Sequence, residues 1–487
     1  MRTGQHYLKS LADGRTVLLN GAKVANVAKD EAFEGIARTI STLYDIAADP
    51  LSGMIYTSPE TGDEANKVFM IPRSAADLAE RHRAITTWAE VSKGFVGRSP
   101  DHVAGFLAGF ASSPATFDKD GREFGKNVTR FYRKAVAEDL FVSYVIIPPQ
   151  TDRSVAAHGG SEEVLQVGVH KEQDGGIVVR GSQMLGTGTA VSDYVFVSCI
   201  KPMAPQEEKQ ALSFVVPVSA KGLKVYCRRP YAVSQPSSFD YPLSTRFDES
   251  DALIVFDDVL VPWENVFAYR STDQLRRQFF ETAAHVLGNN QAQIRLVTKM
   301  KFILGVARKI TQVNGIDKIP SVIEKLGELA SLACYVEGMV IASEATCVMD
   351  QNGVARPNPR FVYGAMGLQA EIYPRAILIL RELAGGGVIQ LPSSYRDLIS
   401  EVTKPDMDRY IGSAAVSTED RVKLFKLAWD IVGSEFGGRH LQYEMFYAGA
   451  PFVAKGYAYR NYGYDEALRG VDSFLSSYHL SDVSESK

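Results

Sequence analysis

A chain of 487 residues, 45% hydrophobic and 23% charged, has the composition of an ordinary globular protein and is too long for a single core, so two or three domains are expected. Its formal charge of −4 comes without a basic run, which argues against nucleic acid or an anionic membrane as a partner. The four cysteines, Cys199, Cys227, Cys334 and Cys347, are scattered without a CxxC pair, so a disulfide framework, a zinc site and an iron–sulfur cluster are all poorly supported.

The first ten residues carry no apolar h-region, and a cytoplasmic location is expected. From about residue 31 to residue 140 the pattern is helical. Ser74 with Asp77 three residues on reads as a capped helix start, and Ser99 followed by Pro100 reads as another, with proline at the first helical position. From about 141 to 266 the texture changes to strands. Residues 142–147 are β-branched and aromatic, 165–169 alternate, and Asp174, Gly175 and Gly176 signal a turn before 177–179. Residues 193–200, 213–218 and 252–256 add further strands, which predicts a β-barrel or sandwich.

Beyond about residue 270 the pattern is helical again. Amphipathic stretches at 279–312, 321–349 and 361–384 predict an antiparallel bundle. The apolar run 376–380 is cut by Arg375 and Arg381, far short of a membrane span. A further helix is expected at 421–430. After it come Gly433, Ser434, Glu435, Phe436, Gly437, Gly438 and Arg439. The glycines are expected to break the helix and admit a ligand to the backbone, and Arg439 can offer a charged fork to phosphate. A Gly-rich turn between two helices is the plain alternative.

The chain thus reads as an α+β multidomain protein: a mainly helical part over 1–140, a β part over 141–267 and a helical bundle with a tail over 268–487. Nucleotide loops are not evident. Gly186 to Gly188 begin like a GxGxxG but lack the third glycine and the following helix, and no GxxxxGK[ST], HExxH or GxSxG occurs. A redox enzyme with this sequence has no evident NAD(P)H site of its own, and no metal motif is seen.

Several collinear blocks carry a resemblance. They are Thr3-Gly4-Gln5-His6-Tyr7-Leu8, Leu43-Tyr44-Asp45, Gly97-Arg98-Ser99-Pro100-Asp101, Asp152-Arg153, Asp240-Tyr241-Pro242-Leu243-Ser244-Thr245-Arg246-Phe247-Asp248-Glu249, Val261-Pro262-Trp263-Glu264-Asn265-Val266, Leu391-Pro392-Ser393-Ser394, and the segment from Gly433 to His440. Together they resemble the oxygenase component of 4-hydroxyphenylacetate 3-monooxygenase. The resemblance implies an acyl-CoA-dehydrogenase-like fold with a helical N-terminal domain, a β-barrel middle domain and a C-terminal four-helix bundle, assembled as a homotetramer. It also implies a two-component monooxygenase. A separate NAD(P)H:flavin reductase supplies loosely bound FAD as FADH2, molecular oxygen reacts to give a C4a-hydroperoxyflavin, and a small phenolic substrate is hydroxylated.

Such chemistry needs a site that excludes water, fixes the ring and favours phenolate over phenol. By the resemblance, Arg98 lies at substrate and flavin. His102 stands where the family has tyrosine, and an imidazole there can accept a phenolic proton. Tyr144 stands near a family histidine, so the two roles are exchanged in this chain, and 4-hydroxyphenylacetate itself is in doubt as the substrate. His285 is the remaining catalytic candidate, with a core histidine as its alternative. Gln150, Thr151, Asp152 and Arg153 match a strand-end loop on FAD. Thr187 matches a threonine near flavin N5, although Gly186 and Gly188 can equally shape a β-bulge. Gly433, Ser434, Glu435, Phe436, Gly437, Gly438 and Arg439 complete the expected cofactor contacts. The dehydratase branch is disfavoured, because it requires cluster-binding cysteines where His102 and Gln293 stand or adjoin. An acyl-CoA dehydrogenase on the same fold and a non-catalytic flavin carrier are the competing readings.

Overall fold

The computed structural model describes residues 1–118, 121–150, 165–231 and 237–482. Both helix starts marked in the sequence are present. The Ser74 hydroxyl accepts the Asp77 amide and opens the helix Ala75–Val91. Ser99 is the N-cap of Pro100–Ala111 with proline in the first turn, but its hydroxyl caps no backbone amide and turns instead to the Asp101 carboxylate. The helix Pro100–Ala111 is buried along nearly its whole length and runs against the N-terminal half of the 30-residue helix Ala284–Val313. Two glycines permit that approach. A Cβ at Gly109 would lie 2.2 Å from the Ala284 backbone, and one at Gly288 would lie 2.2 Å from the Phe106 ring. The close fit sets His102 beside the face of the long helix that carries Gln291.

The strand region forms two sheets. One has six strands in the order Ala22–Lys23, Val17–Leu19, Leu223–Cys227, Ala252–Pro262, Gly176–Gln183, Gly168–Gln173. The other has four, in the order Val266–Tyr269, Leu212–Pro217, Tyr194–Val197, Val142–Val145. Pro262 and the short turn Trp263–Asn265 end the long strand and pass the chain from the first sheet to the second. Among the described residues only the isolated bridge between Ile147 and Met184 links the two strand regions, so in place of the expected barrel there is a pair of open sheets. The free edge Val142–Val145 is covered by the buried helix Pro100–Ala111 rather than by another strand, the usual way an edge is protected. Val17–Leu19 and Ala22–Lys23 were not expected as strands. At three and two residues they are too short to show a period, and Val17 gains its place by parallel pairing with Val225.

The bundle helices are Ala284–Val313, Pro320–Ala345, Pro359–Ala384 and Thr418–Val432. The first is shorter than the sequence pattern indicated, because Thr272–Phe280 is a separate helix. At the break, the Thr282 hydroxyl donates to the Gln278 carbonyl and accepts from the Ala284 amide, which ends one helix and starts the next. Pro320–Ala345 is the one helix among the described residues long and apolar enough to cross a membrane. Its buried line of Leu329, Ala333, Val336 and Val340 faces the neighbouring bundle helices, whereas Ile323 and Ile341 are exposed. This helical–β–helical order is that of an acyl-CoA-dehydrogenase-like fold.

Candidate active site

Arg98, His102 and Tyr144 meet where the start of helix Pro100–Ala111 reaches the edge strand Val142–Val145. The Arg98 guanidinium donates to His102 Nε2 and, at 3.2 Å, to the Tyr447 carbonyl. It also lies 5.0, 5.4 and 5.6 Å from the ring centres of Tyr144, Tyr443 and Tyr447, so three aromatic faces surround one cation. The His102 and Tyr144 rings are 5.3 Å apart, and Phe106 closes the apolar side at 5.3 Å from His102 and 5.8 Å from Tyr144. Arg98 and Tyr144 are half-buried, whereas His102 is buried. Burial and then the Arg98 charge hold the His102 pKa well below the usual histidine range, so the imidazole is neutral.

Behind His102 stands a polar chain that the sequence reading did not include. His102 Nδ1 is 3.0 Å from Gln291 Oε1, Gln291 Nε2 is 3.1 Å from Asp101 Oδ1, and the Ser99 hydroxyl donates to the same carboxylate oxygen. Behind the tyrosines lies a second missed group. Glu444 receives Arg295 through two bonds of 2.6 and 2.9 Å, Lys299 at 2.7 Å and Gln369 at 2.7 Å, all fully buried or nearly so. Lys299 also donates to His440 Nδ1 at 3.1 Å. Burial alone would raise the Glu444 pKa, but Arg295 and Lys299 outweigh it and hold the carboxyl at about 2. A signal for this group is present in the sequence: His440, Tyr443, Glu444 and Tyr447 are spaced to share one helix face, and Arg295 and Lys299 are four apart, one turn of a helix.

His285 is not in this cage. Its Nδ1 is 2.8 Å from the Tyr363 hydroxyl, with the rings of Phe280 and Tyr457 at 5.0 and 5.2 Å, and burial lowers its pKa to about 3. It is a neutral core histidine in its contacts. Thr151, Asp152 and Arg153 lie outside the described residues, and Gln150 is exposed at the end of that strand segment.

The glycine-rich segment differs from expectation. Gly433 does break the chain between two helices, but Ser434 is the N-cap of Glu435–Phe446, and Gly437 and Gly438 lie within that helix rather than in a turn. Ser434 accepts the Gly437 amide, Glu435 pairs with Arg229, and Phe436 is core packed on His440. Arg439 is committed to carboxylates, 2.9 Å from Glu249 and 2.8 and 3.1 Å from the two oxygens of Asp251, so it is not a free fork for phosphate. Thr187 donates its hydroxyl to Asp251 at 2.7 Å, and Arg228 pairs with Asp251 and Asp248. Gly438 is exposed, with nothing within 4 Å of the place a Cβ would occupy.

The residues around Arg98 have polar capacity that the chain itself does not use. The Tyr443 hydroxyl, Gln293 Oε1 and Arg295 Nε are buried without a partner. A half-buried cation, several aromatic faces and spare donors and acceptors fit a flat ring system with a polar edge, such as flavin. Two surface clefts of about 420 and 630 Å³ lie elsewhere and are not lined by Arg98, His102 or Tyr144.

Known proteins share the sequence pattern and the overall fold of this chain. The family model described as 4-hydroxyphenylacetate 3-hydroxylase N terminal matches residues 3–268, and the one described as 4-hydroxyphenylacetate 3-hydroxylase C terminal matches residues 275–476. The chain is 35% identical to the oxygenase component of 4-nitrophenol 2-monooxygenase from a Rhodococcus species, over 98% of this chain and 92% of that protein. It is likewise 35% identical to a Streptomyces globisporus monooxygenase of a carrier-bound (3S)-3-amino-3-(3-chloro-4-hydroxyphenyl)propanoyl group, over 92% and 85%. Among solved structures, the oxygenase component of 4-hydroxyphenylacetate 3-monooxygenase complexed with FAD and 4-hydroxyphenylacetate superposes with a TM-score of 0.92, at 32% identity over 98% of this chain and 99% of that one. With both family models together spanning nearly the full length and that structure matching throughout, the chain belongs to the 4-hydroxyphenylacetate 3-hydroxylase family.

Proposed function

We propose that this protein is the oxygenase component of a two-component monooxygenase that hydroxylates a small phenol, using FADH2 made by a separate reductase. The observation that carries this reading is the Arg98–His102 pair inside its aromatic cage. Reduced FAD together with molecular oxygen supplies the electrophilic oxygen atom. The chain's own residues prepare the ring. Arg98 faces the phenolic oxygen and lowers the cost of its negative charge in a site of low polarity. Neutral His102 accepts the O–H hydrogen bond and orients the ring. Tyr144 and Phe106 hold the aromatic faces and exclude water, which protects a reactive oxidant from waste. Arg98, His102 and Tyr144 are therefore the proposed substrate contacts. The exposed Gly438 and the Thr187 oxygen are the proposed points of cofactor approach.

Exposed apolar side chains on two elements support self-association. They include Ile323 and Ile341 on Pro320–Ala345, and Phe474 and Leu475 on the terminal helix Asp465–Leu475. A tetramer is the assembly we propose.

The test is a panel of phenols, including 4-nitrophenol and 4-hydroxyphenylacetate, with FADH2 and oxygen supplied. A product heavier by one oxygen, formed only when the flavin is reduced, is expected. The protein alone with NADH and FAD is expected to be inactive, and an added flavin reductase is expected to start turnover. Vigorous NADH oxidation by the isolated chain would overturn the two-component reading.

A further inference from the structure

We propose that Asp101 and Gln291 are positioning residues that hold His102 with its proton on Nδ1 and the Nε2 lone pair toward Arg98. A carboxylate only accepts, so the Gln291 atom 3.1 Å from Asp101 Oδ1 is the amide nitrogen. That fixes the amide and leaves its oxygen toward His102. The atom 3.0 Å from this oxygen is His102 Nδ1, which must therefore be the donor. A neutral imidazole has one N–H, so Nε2 is left as the acceptor. Arg98, which only donates, stands against that acceptor; the same guanidinium nitrogen lies 3.5 Å from Nδ1 but is nearer to Nε2. Burial raises the Asp101 pKa to about 6, while Ser99, Gln291 and Arg81 hold it down, so the carboxylate is ionised and acceptor-only above neutrality. His102 is itself neutral for the reasons given above.

Two groups thus select the same tautomer, and they act at different moments. Arg98 selects it only while it touches Nε2. Once a ring oxygen stands between Arg98 and His102, Arg98 turns to that oxygen and its hold on the imidazole is gone. The chain from Asp101 through Gln291 remains. It keeps Nε2 an acceptor, so the entering group is read as an O–H donor to His102 and an acceptor from Arg98. An aryl methyl ether can satisfy Arg98 but has no hydrogen for Nε2. The site is therefore built to take phenols in preference to their ethers, a consequence that rests on the function proposed above. The tautomer itself does not rest on it.

The experiment uses histidine ring ¹⁵N spectra of the full chain at about pH 8, where Asp101 is ionised. The chain has eight histidines, and His102→Phe assigns the resonance. Arg98→Met removes the second selector. The Nδ1–H form is expected to persist in the wild type and in Arg98→Met, and to give way to a mixture in Arg98→Met/Gln291→Leu. In the same background Gln291→Glu, which shares one proton with Asp101 and still presents an oxygen to Nδ1–H, is expected to restore it. Loss of the Nδ1–H form in Arg98→Met alone, or its survival in the Leu double variant, overturns the proposal. Binding of 4-nitrophenol against 4-nitroanisole supplies the second readout. The preference for the phenol is expected to fall about tenfold in Gln291→Leu and to be kept in Gln291→Glu. If the spectra behave as expected but the wild type binds neither compound, the positioning role stands and the phenol reading falls.

Discussion

Arg439 and Asp251 form a two-point ion pair across the junction between the helix Glu435–Phe446 and the strand region, with nitrogen–oxygen distances of 2.8 and 3.1 Å. The same carboxylate receives Arg228 and the Thr187 hydroxyl. Burial would raise the Asp251 pKa, but the two arginines overcome it and push the group well below the usual carboxylate range. The pair is thus a clamp between the helix and the loop at Thr187.

The clamp can be broken from one side. Asp251→Leu leaves Arg439 with only Glu249 and strips Thr187 of its partner. Removing one member of a buried ion pair costs roughly 3–5 kcal/mol. The remaining Glu249 contact places the expected loss at the lower end, about 3 kcal/mol, read from chemical denaturation. A loss below about 1 kcal/mol would show that the pair is not structural.

Gly437 and Gly438 are neighbours with opposite surroundings. A Cβ at Gly437 would lie 2.5 Å from the Ile431 carbonyl oxygen, a backbone atom that cannot turn aside. Gly437→Ala is expected to lower stability measurably. At Gly438 the position is open, so Gly438→Ala is expected to raise helix stability by up to about 1 kcal/mol, the usual difference between the two residues inside a helix. Gly438→Val leaves the fold intact, and weaker anaerobic FADH2 binding in that variant would mark the backbone here as a cofactor approach. Unchanged affinity would remove it from the site.

Glu444 ties stability to acid. Its pKa is held at about 2 in the folded protein, below the value of about 4.3 for an exposed glutamate. A depressed folded value means that its contribution is present above the unfolded pKa and is lost as the pH falls through the folded one. The window is therefore from about pH 4.5 down to about pH 2. Glu444→Gln leaves Arg295 and Lys299 buried without a counter-charge, so it is expected to be much less stable at neutral pH and to lack this part of the acid dependence. Urea midpoints across that pH range test both statements. A variant with the wild-type slope would assign the acid loss to other carboxylates.

His102→Phe keeps an aromatic ring and removes both nitrogens. Oxygen transfer to a phenol is expected to fall by roughly 10²-fold, at the low end for loss of a positioned proton acceptor. Reduced-flavin oxidation continues, so the missing product is expected as released hydrogen peroxide. Quantified product and peroxide from one turnover decide the matter. Full hydroxylation by the variant would leave Arg98 alone to prepare the ring.

Local patterns along the chain suffice for the order of helical, strand and helical regions, both early helix starts and the family, and they single out Arg98, His102 and Tyr144 as candidates. These rest on local rules. Periodicity and capping act within a few residues, and a motif such as Gly97-Arg98-Ser99-Pro100-Asp101 is contiguous. What those residues do to one another depends on the fold. Gln291 lies far along the chain from His102 and reaches it because Gly109 and Gly288 let two helices close. Glu249 and Asp251 claim Arg439, which the local glycines had marked as a phosphate ligand. His285, equally plausible by type, is packed among Phe280, Tyr363 and Tyr457 instead of beside Arg98. Charge pairing and pKa depend on distance and burial, and neither is written in residue order. The neutral state of His102 is therefore a property of the fold, set by its burial and by the arginine that the fold holds against it.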